Sequence, residues 1–310
     1  MFATRRFPER VRIELERSFD LDVHDSEWPA PREEVLARSA GSEGLMTMLT
    51  DRVDDELIAA AGPRLRVVAN YGVGYDNVDL EACTRRGVLV SNTPEVLTAT
   101  VAELTLALIL SLVRRVTEGD RLIRRSESWI WGPNMMLGAG LAGKTLGLVG
   151  YGRIARRVEA LARGFGMDVV HTSRRGGIPL EHLLATADVV SVHVPLSLET
   201  RHLLDAHRLR LMQPSAFLVN TSRGPIVDEA ALADALVAGE IAGAALDVYE
   251  REPEVEPRLL ELENVVLTPH LGSATLDTRE AMGMLCVEAL RAVLLESRIP
   301  ENALNPEVLE

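Results

Sequence analysis

Along the chain, short apolar runs rich in β-branched residues alternate with longer stretches whose apolar residues recur every three or four positions. The first kind predicts strands and the second amphipathic helices. From Ala3 to Asn92 the predicted strands are Leu21–His24, Leu45–Leu49, Leu65–Asn70 and Val88–Ser91. Between them lie helical segments such as Arg32–Ala40 and Asp54–Ala61. This alternation implies a parallel sheet with helices on its faces. Val101–Arg115 then reads as a long apolar helix without a strand partner, a spine between two domains.

A second series begins at Thr145, with predicted strands at Leu146–Val149, Asp168–His171, Val189–Val194, Ala216–Asn220, Gly243–Val248 and Val265–Thr268. Six strands of this kind are what a doubly wound nucleotide-binding sheet requires. The last helical stretch, Thr278–Glu296, is long enough to return to the first domain. The expected fold is therefore α/β, with two doubly wound parallel-sheet domains. Residues 1–98 plus 282–310 form one, and residues 99–281 are inserted as the other. No internal repeat is visible.

Composition narrows the classes. The chain has 310 residues, 47% hydrophobic and 25% charged, as expected of globular domains. A net charge of −13 argues against nucleic acid or an acidic membrane surface as partner. The opening Met1–Pro8 carries no apolar core of a signal peptide. The most apolar stretch, Val101 to Val113, is interrupted by Glu103 and too short to span a bilayer. Cys83 and Cys286 are isolated thiols without metal-ligand spacing, which suits a reducing cytoplasm. No metal site is expected from His171, His182, His193, His202 and His207 either; of these only His193, in the His-Val-Pro that ends a predicted strand, stays in view.

Gly150-Tyr-Gly152-Arg153-Ile154-Ala155 follows a predicted strand and opens a predicted helix. Gly150 permits a tight turn, Gly152 lets the backbone approach a pyrophosphate, and the third position needs only a small residue. Amides at the helix start then face the anion. An NAD site would place an acidic residue about 20 positions further on, at the end of the next strand. Here Ser173, Arg174 and Arg175 stand there instead. A guanidinium pairs with a 2′-phosphate that a carboxylate would repel, so the pattern predicts NADP(H), with NAD(H) as the alternative.

Three further segments each end a predicted strand: Asn220–Pro225 with Arg223, Leu246–Pro253 with Glu250 and Glu252, and Thr268–Ser273 with His270. Open α/β sheets place their ligand sites at the carboxyl ends of strands. Arg223 can fork onto the carboxylate of a 2-oxo acid and polarise its ketone. His270 can deliver the proton that the ketone oxygen needs as hydride arrives, because imidazole titrates near neutrality. A neighbouring carboxylate would orient the ring and favour its protonated form.

With these segments, and with Asn70–Asp79 and Ser91–Glu95 upstream, the chain resembles the D-isomer-specific 2-hydroxyacid dehydrogenases, in the branch of glyoxylate/hydroxypyruvate reductases. The resemblance runs over nearly the whole length. It implies a Rossmann cofactor domain inserted into a flavodoxin-like substrate domain, a homodimer formed through the cofactor domain, and Arg223, Glu252 and His270 as the catalytic residues. The Asp247…Glu252-Pro253 spacing selects Glu252 over Glu250. Asp247 is implied to hold the nicotinamide amide, with further cofactor contacts at Tyr151, Arg153, Ile154, Pro195, Thr221, Ser222 and Gly272. Amides near Val73 and Gly74 are implied to bind the substrate carboxylate, and Trp131 of the partner subunit to limit substrate size. The stretch after Arg175 is about ten residues shorter than in relatives. Other possibilities are an NAD-dependent dehydrogenase of another 2-hydroxy acid, a nucleotide sensor on the same fold, and an L-specific lactate/malate-type enzyme. The last usually carries its glycine loop at the start of the chain.

Overall fold

The computed structural model describes residues 1–309, so Glu310, the end of the expected substrate domain, lies outside the described residues. The chain forms two compact units, Met1–Leu97 with Ala274–Glu310, and Thr98–Ser273. The return to the first unit comes at Ala274 instead of the expected 282. The reason is that the helix Leu276–Leu294 is continuous, its start capped by the Thr275 side chain, and it belongs to the first unit throughout.

In that unit the strands are β1 (Phe2–Ala3), β2 (Asp22–Val23), β3 (Gly44–Met48), β4 (Val67–Tyr71) and β5 (Leu89–Ser91). They pair in parallel in the order β2-β1-β3-β4-β5, the flavodoxin-like arrangement. Strand β1 is absent from the sequence expectation because two residues are too few to show a period. Its burial is nevertheless complete, and Phe2 joins Leu45, Leu57, Val68 and Val90 in one core. The helix Leu276–Leu294 covers the sheet so closely that a side chain at Gly44 would strike Leu290 and Leu294.

The second unit carries β6 (Thr145–Val149), β7 (Asp168–Ser173), β8 (Gly176–Gly177), β9 (Val189–Val192), β10 (Phe217–Asn220), β11 (Gly243–Leu246) and β12 (Val265–Leu267). Their order is β12-β11-β10-β9-β6-β7-β8, doubly wound about β6. All pairs are parallel except β7 with β8. The six expected strands thus gain a seventh. After Arg175 the chain folds straight back on β7, which φ values of 138° at Gly176 and 103° at Gly177 permit.

Both faces of this sheet are buried, which is why its strands read as continuous apolar runs instead of alternating ones. Val190, Val192, Leu218, Ala244 and Leu246 pack with Leu183, Leu209 and Leu232 in one core. Their alternate neighbours Val189, Val219 and Ala245 pack with Leu106, Ile109 and Val158 in the other. The apolar helix Thr98–Val113 supplies much of that second core, so within its own unit it has a sheet to cover. No helix of the described residues is long and apolar enough to cross a membrane.

Candidate active site

Strands β10, β11 and β12 are direct neighbours, and the chain leaves their carboxyl ends through the loops that hold Arg223, Glu252 and His270. Asp247, the first residue beyond β11, is 1% exposed and organises the loop after β12. One of its carboxylate oxygens accepts from Thr268 Oγ1 (2.6 Å) and the Leu271 amide (2.7 Å), and the other accepts from the Gly272 amide (2.9 Å). Its main-chain carbonyl accepts the His270 amide at 2.9 Å. Burial pushes the Asp247 carboxyl above its ordinary range, against the pull of these donors and of His270.

The turn so made holds His270 at φ 54°, a backbone region that a non-glycine residue enters only when its surroundings impose it. His270 Nδ1 then lies 2.9 Å from Glu252 Oε2, while Glu252 Oε1 accepts the Tyr249 amide at 3.1 Å. Burial raises the Glu252 carboxyl. The hydrogen bond and charge of His270, the Tyr249 amide and the charge of Arg223 outweigh burial and hold it below the usual carboxylate range. Arg223 has an extended backbone fixed by Asn220, whose carboxamide donates to the Arg223 carbonyl at 2.9 Å. Its Nη1 donates to the Ser222 carbonyl at 2.8 Å. Glu250, the neighbour that the residues alone left as an option, faces away from His270 and lies 2.5 Å from His202 Nε2.

Two strands along from β10, at the same carboxyl edge of the sheet, β6 ends in the glycine loop. Gly150 has φ 95°, and a Cβ there would come within 2.6 Å of the His193 carbonyl oxygen, so the turn is as tight as expected. Gly152 differs: a Cβ would meet nothing within 4 Å, and no side chain caps the helix Arg153–Gly164 that starts there. Ala155 is fully buried against the sheet. An open, uncapped helix start beside a glycine backbone fits a dinucleotide pyrophosphate. Ile154 packs into the core, and Tyr151 stacks on His171 with its hydroxyl bonded to Glu159.

Of the remaining expected contacts, Ser222 Oγ donates to the Val194 carbonyl (2.5 Å) and Thr221 Oγ1 lies 3.0 Å from Thr105 Oγ1. Pro195 accepts from Thr200 Oγ1 at 2.7 Å. Ser173 Oγ donates to the Gly176 carbonyl at 2.9 Å, closing the β7–β8 turn, and Arg174 pairs with Glu199. Val73 and Gly74 belong to the first unit, where Asn92 and Asn70 donate to their carbonyls at 2.8 and 3.0 Å. Trp131 is 82% exposed and does not line the pocket of about 290 Å³ beside Glu252 and His270. His193 is half-buried, its Nε2 2.9 Å from Ser191 Oγ, and desolvation pulls it down to about 4, so it stays neutral near pH 7. Burial pushes both thiols up, Cys83 to about 12. Among the described residues no cluster of His, Cys, Asp and Glu could hold a metal.

Comparison with known proteins places this geometry. Residues 106–272 match the model of the D-isomer specific 2-hydroxyacid dehydrogenase NAD binding domain. The chain belongs to this family. It is similar to a glyoxylate reductase of Pyrococcus furiosus, 44% identical over 326 aligned positions that cover 100% of this chain and 96% of that one. Its fold matches a protein of Thermus thermophilus with a TM-score of 0.92 and 45% identity, covering 98% and 99% of the two chains. It also matches an NADPH-dependent glyoxylate/hydroxypyruvate reductase of Sinorhizobium meliloti solved with NADP and malonate (TM-score 0.85, 32% identity, 98% and 95% covered). As a 2-hydroxyacid dehydrogenase it is an NAD(P)-dependent oxidoreductase.

Sequence reasoning missed Thr268 and Glu229, which this dehydrogenase uses to shape the loops. Thr268 is a strand-end residue like many others. Glu229 is a buried acid in a helix start, where an exposed one is the ordinary expectation.

The packing and the charge of the site are each open to test. A methyl group at Gly224 would fall on the main chain of Tyr249 and Glu250, which cannot move without moving Glu252. Gly224→Ala should therefore lower unfolding free energy by about 3 kcal/mol or more in urea titration. An unchanged midpoint would show that the loops approach less closely. Because the Glu252 carboxyl holds its proton less tightly folded than unfolded, its contribution to stability is complete above the ordinary carboxylate pKa of about 4.3 and disappears as pH falls through its lower folded value. The stability advantage of the native chain over Glu252→Gln should thus be present at pH 6 and shrink below pH 4. A gap independent of pH would contradict the depressed carboxyl.

Proposed function

We propose that the protein reduces glyoxylate, hydroxypyruvate and similar small 2-oxo acids to the 2-hydroxy acids, reversibly, with NADPH as the preferred donor. The observation that carries this reading is the 2.9 Å hydrogen bond between Glu252 and His270, beside Arg223 on three adjacent strand ends. The names borne by the relatives support the same substrate class.

In this reading the guanidinium of Arg223 binds the substrate carboxylate and draws electron density from the ketone. Glu252 engages His270 Nδ1, which leaves Nε2 as the nitrogen that passes a proton to the ketone oxygen. Glu252 stays ionised throughout, so the imidazolium keeps its counter-charge until the proton leaves. The amides at Gly152, Arg153 and Ile154 would hold the pyrophosphate of a dinucleotide, and Asp247, Pro195, Thr221, Ser222 and Gly272 would border its nicotinamide half. When bound, that cofactor supplies the hydride. Val73 and Gly74 would bind substrate through their amides, and Trp131 would bound its size from a partner subunit in a cytoplasmic homodimer.

The preference for NADPH rests on Ser173, Arg174 and Arg175 at the end of β7. The guanidinium of Arg175 has no partner among the described residues, so it is available to a 2′-phosphate. One observation favours NADH instead: the Arg174 guanidinium is paired with Glu199, whose carboxylate would oppose a second phosphate charge.

Oxidation of NADPH and NADH followed at 340 nm with glyoxylate separates these readings. NADPH should give the larger kcat/KM by about tenfold or more, roughly the yield of one charge-assisted contact. Comparable values would remove the NADPH preference, and no turnover with any 2-oxo acid would remove the proposal. In the same assay His270→Ala should lower kcat by about 10²–10⁴. Turnover near that of the native chain would refute His270 as the proton donor.

A further inference from the structure

Glu252 reaches His270 from the irregular segment 247–256, which has no ladder of its own to hold it beyond one isolated bridge between Arg251 and Glu254. Its start is held at Asp247 and by the Tyr249 hydroxyl, which donates to the Leu246 and Thr268 carbonyls, and the stretch around Glu252 is held by a second carboxylate. Glu229, the first residue of the helix Glu229–Val237, is 6% exposed. Its Oε1 accepts the main-chain amide of Glu250 and its Oε2 accepts that of Glu256 at 3.2 Å. These two amides bracket Glu252 in sequence. Glu250 returns the contact: its Oε2 accepts the Glu229 amide at 3.3 Å, an otherwise unpaired donor of the helix start, and its Oε1 lies 2.5 Å from His202 Nε2. On the same helix start, Asp228 caps the Ala231 amide. Burial raises the Glu229 carboxyl, the two amides oppose that rise, and the charges of Glu250 and Glu256 add to it; its oxygens are given to these donors and not to solvent.

We infer that Glu229 is a positioning residue for the proposed reaction, holding both ends of the Glu252 segment so that Glu252 meets His270, with His202 and Glu250 as the reciprocal clamp. The inference rests on the reading of Glu252 and His270 given above. Glu229 touches neither substrate nor cofactor in it. A carboxylate is required because both contacts are main-chain donors. Glutamine offers one acceptor oxygen and turns an NH2 group toward the other amide. Aspartate is a methylene too short to reach both. Loss of either contact lets the segment shift, and displacements of about 1 Å in a reacting constellation cost up to about a hundredfold in rate.

Glu229→Gln in the full chain should lower kcat for glyoxylate with NADPH by about 10- to 100-fold, with KM for both reactants within about twofold. In a Glu252→Gln background the same substitution should cost nothing further, since there is no ionised Glu252 left to place. A residue that merely stabilised the fold would give equal losses in both backgrounds. Additive effects, or an unchanged kcat, would overturn the inference. Should Glu229→Gln fail to fold, Glu256 provides the alternative. Its φ of −53° suits proline, so Glu256→Pro removes the amide donor without a new backbone conformation. Glu256→Ala removes the ion pair with Arg258 but keeps the amide, so only the proline variant should lose turnover. Equal behaviour of the two would also refute the role. The Nδ1 proton resonance of His270, which reports its hydrogen bond to Glu252 without turnover, should move in Glu229→Gln and Glu256→Pro and stay in Glu256→Ala. If the native chain reduces no 2-oxo acid, that resonance alone decides, and an unmoved signal rejects Glu229 as the anchor.

Discussion

The site depends first on one buried carboxylate, that of Asp247. Three donors and the charge of a nearby imidazole are gathered around it at the end of β11, and each of those donors belongs to the strand end or loop that follows β12. The energetics of such a group are asymmetric. A carboxylate taken out of water costs several kcal/mol unless it is fully hydrogen-bonded, so the donors must come to it. Once they have come, Leu271 and Gly272 are fixed, and the residue before them is forced into the left-handed region. That residue is His270. The direction of its ring is thus a consequence of satisfying Asp247, and the Glu252 hydrogen bond is made to a ring already placed.

The fold was largely legible because burial on both faces leaves a strong mark on sequence. Val189–Val192 and Phe217–Asn220 read as strands from their apolar runs alone, and the glycines at 150 and 152 announced the turn after β6. The losses have physical causes. Phe2–Ala3 is paired on both sides in its sheet but has two residues, fewer than any period needs. Gly176–Gly177 is an antiparallel return in a parallel sheet, and glycine carries no apolar signature to betray a strand. The second crossing between the units was set late, at 282 instead of 274, because helical periodicity is blind to which unit a helix covers.

Within the site, residue type and strand-end position pointed to Arg223 and His270, but left Glu250 and Glu252 unresolved. Two acids two positions apart in an irregular loop have no period to separate them. Family spacing chose Glu252, and the geometry supplies the physical difference. Glu250 is drawn to a helix start and to His202, where its charge is answered by an amide dipole and an imidazole. With Glu250 so occupied, Glu252 is the carboxylate left for His270. Glu229 was invisible for a related reason: a buried acid looks like an exposed one until its two amide donors are known.

The sheet also separates two kinds of change. β10, β11 and β12 carry Arg223, Glu252 and His270 in loops locked to one another by Asp247, Gly224 and Glu229, so a substitution at any of them propagates to the rest. β7 and β8 lie on the far side of β6, and their turn is held by its own contacts, Ser173 to Gly176 and an exposed Arg174–Glu199 pair. An exposed pair of that kind contributes little, about 0–1 kcal/mol, and its loss disturbs nothing beyond itself. A change in the β7–β8 turn therefore leaves the contacts of the loops after β10, β11 and β12 in place. In the proposed reading, the choice of dinucleotide is thus structurally separate from the proton and hydride chemistry.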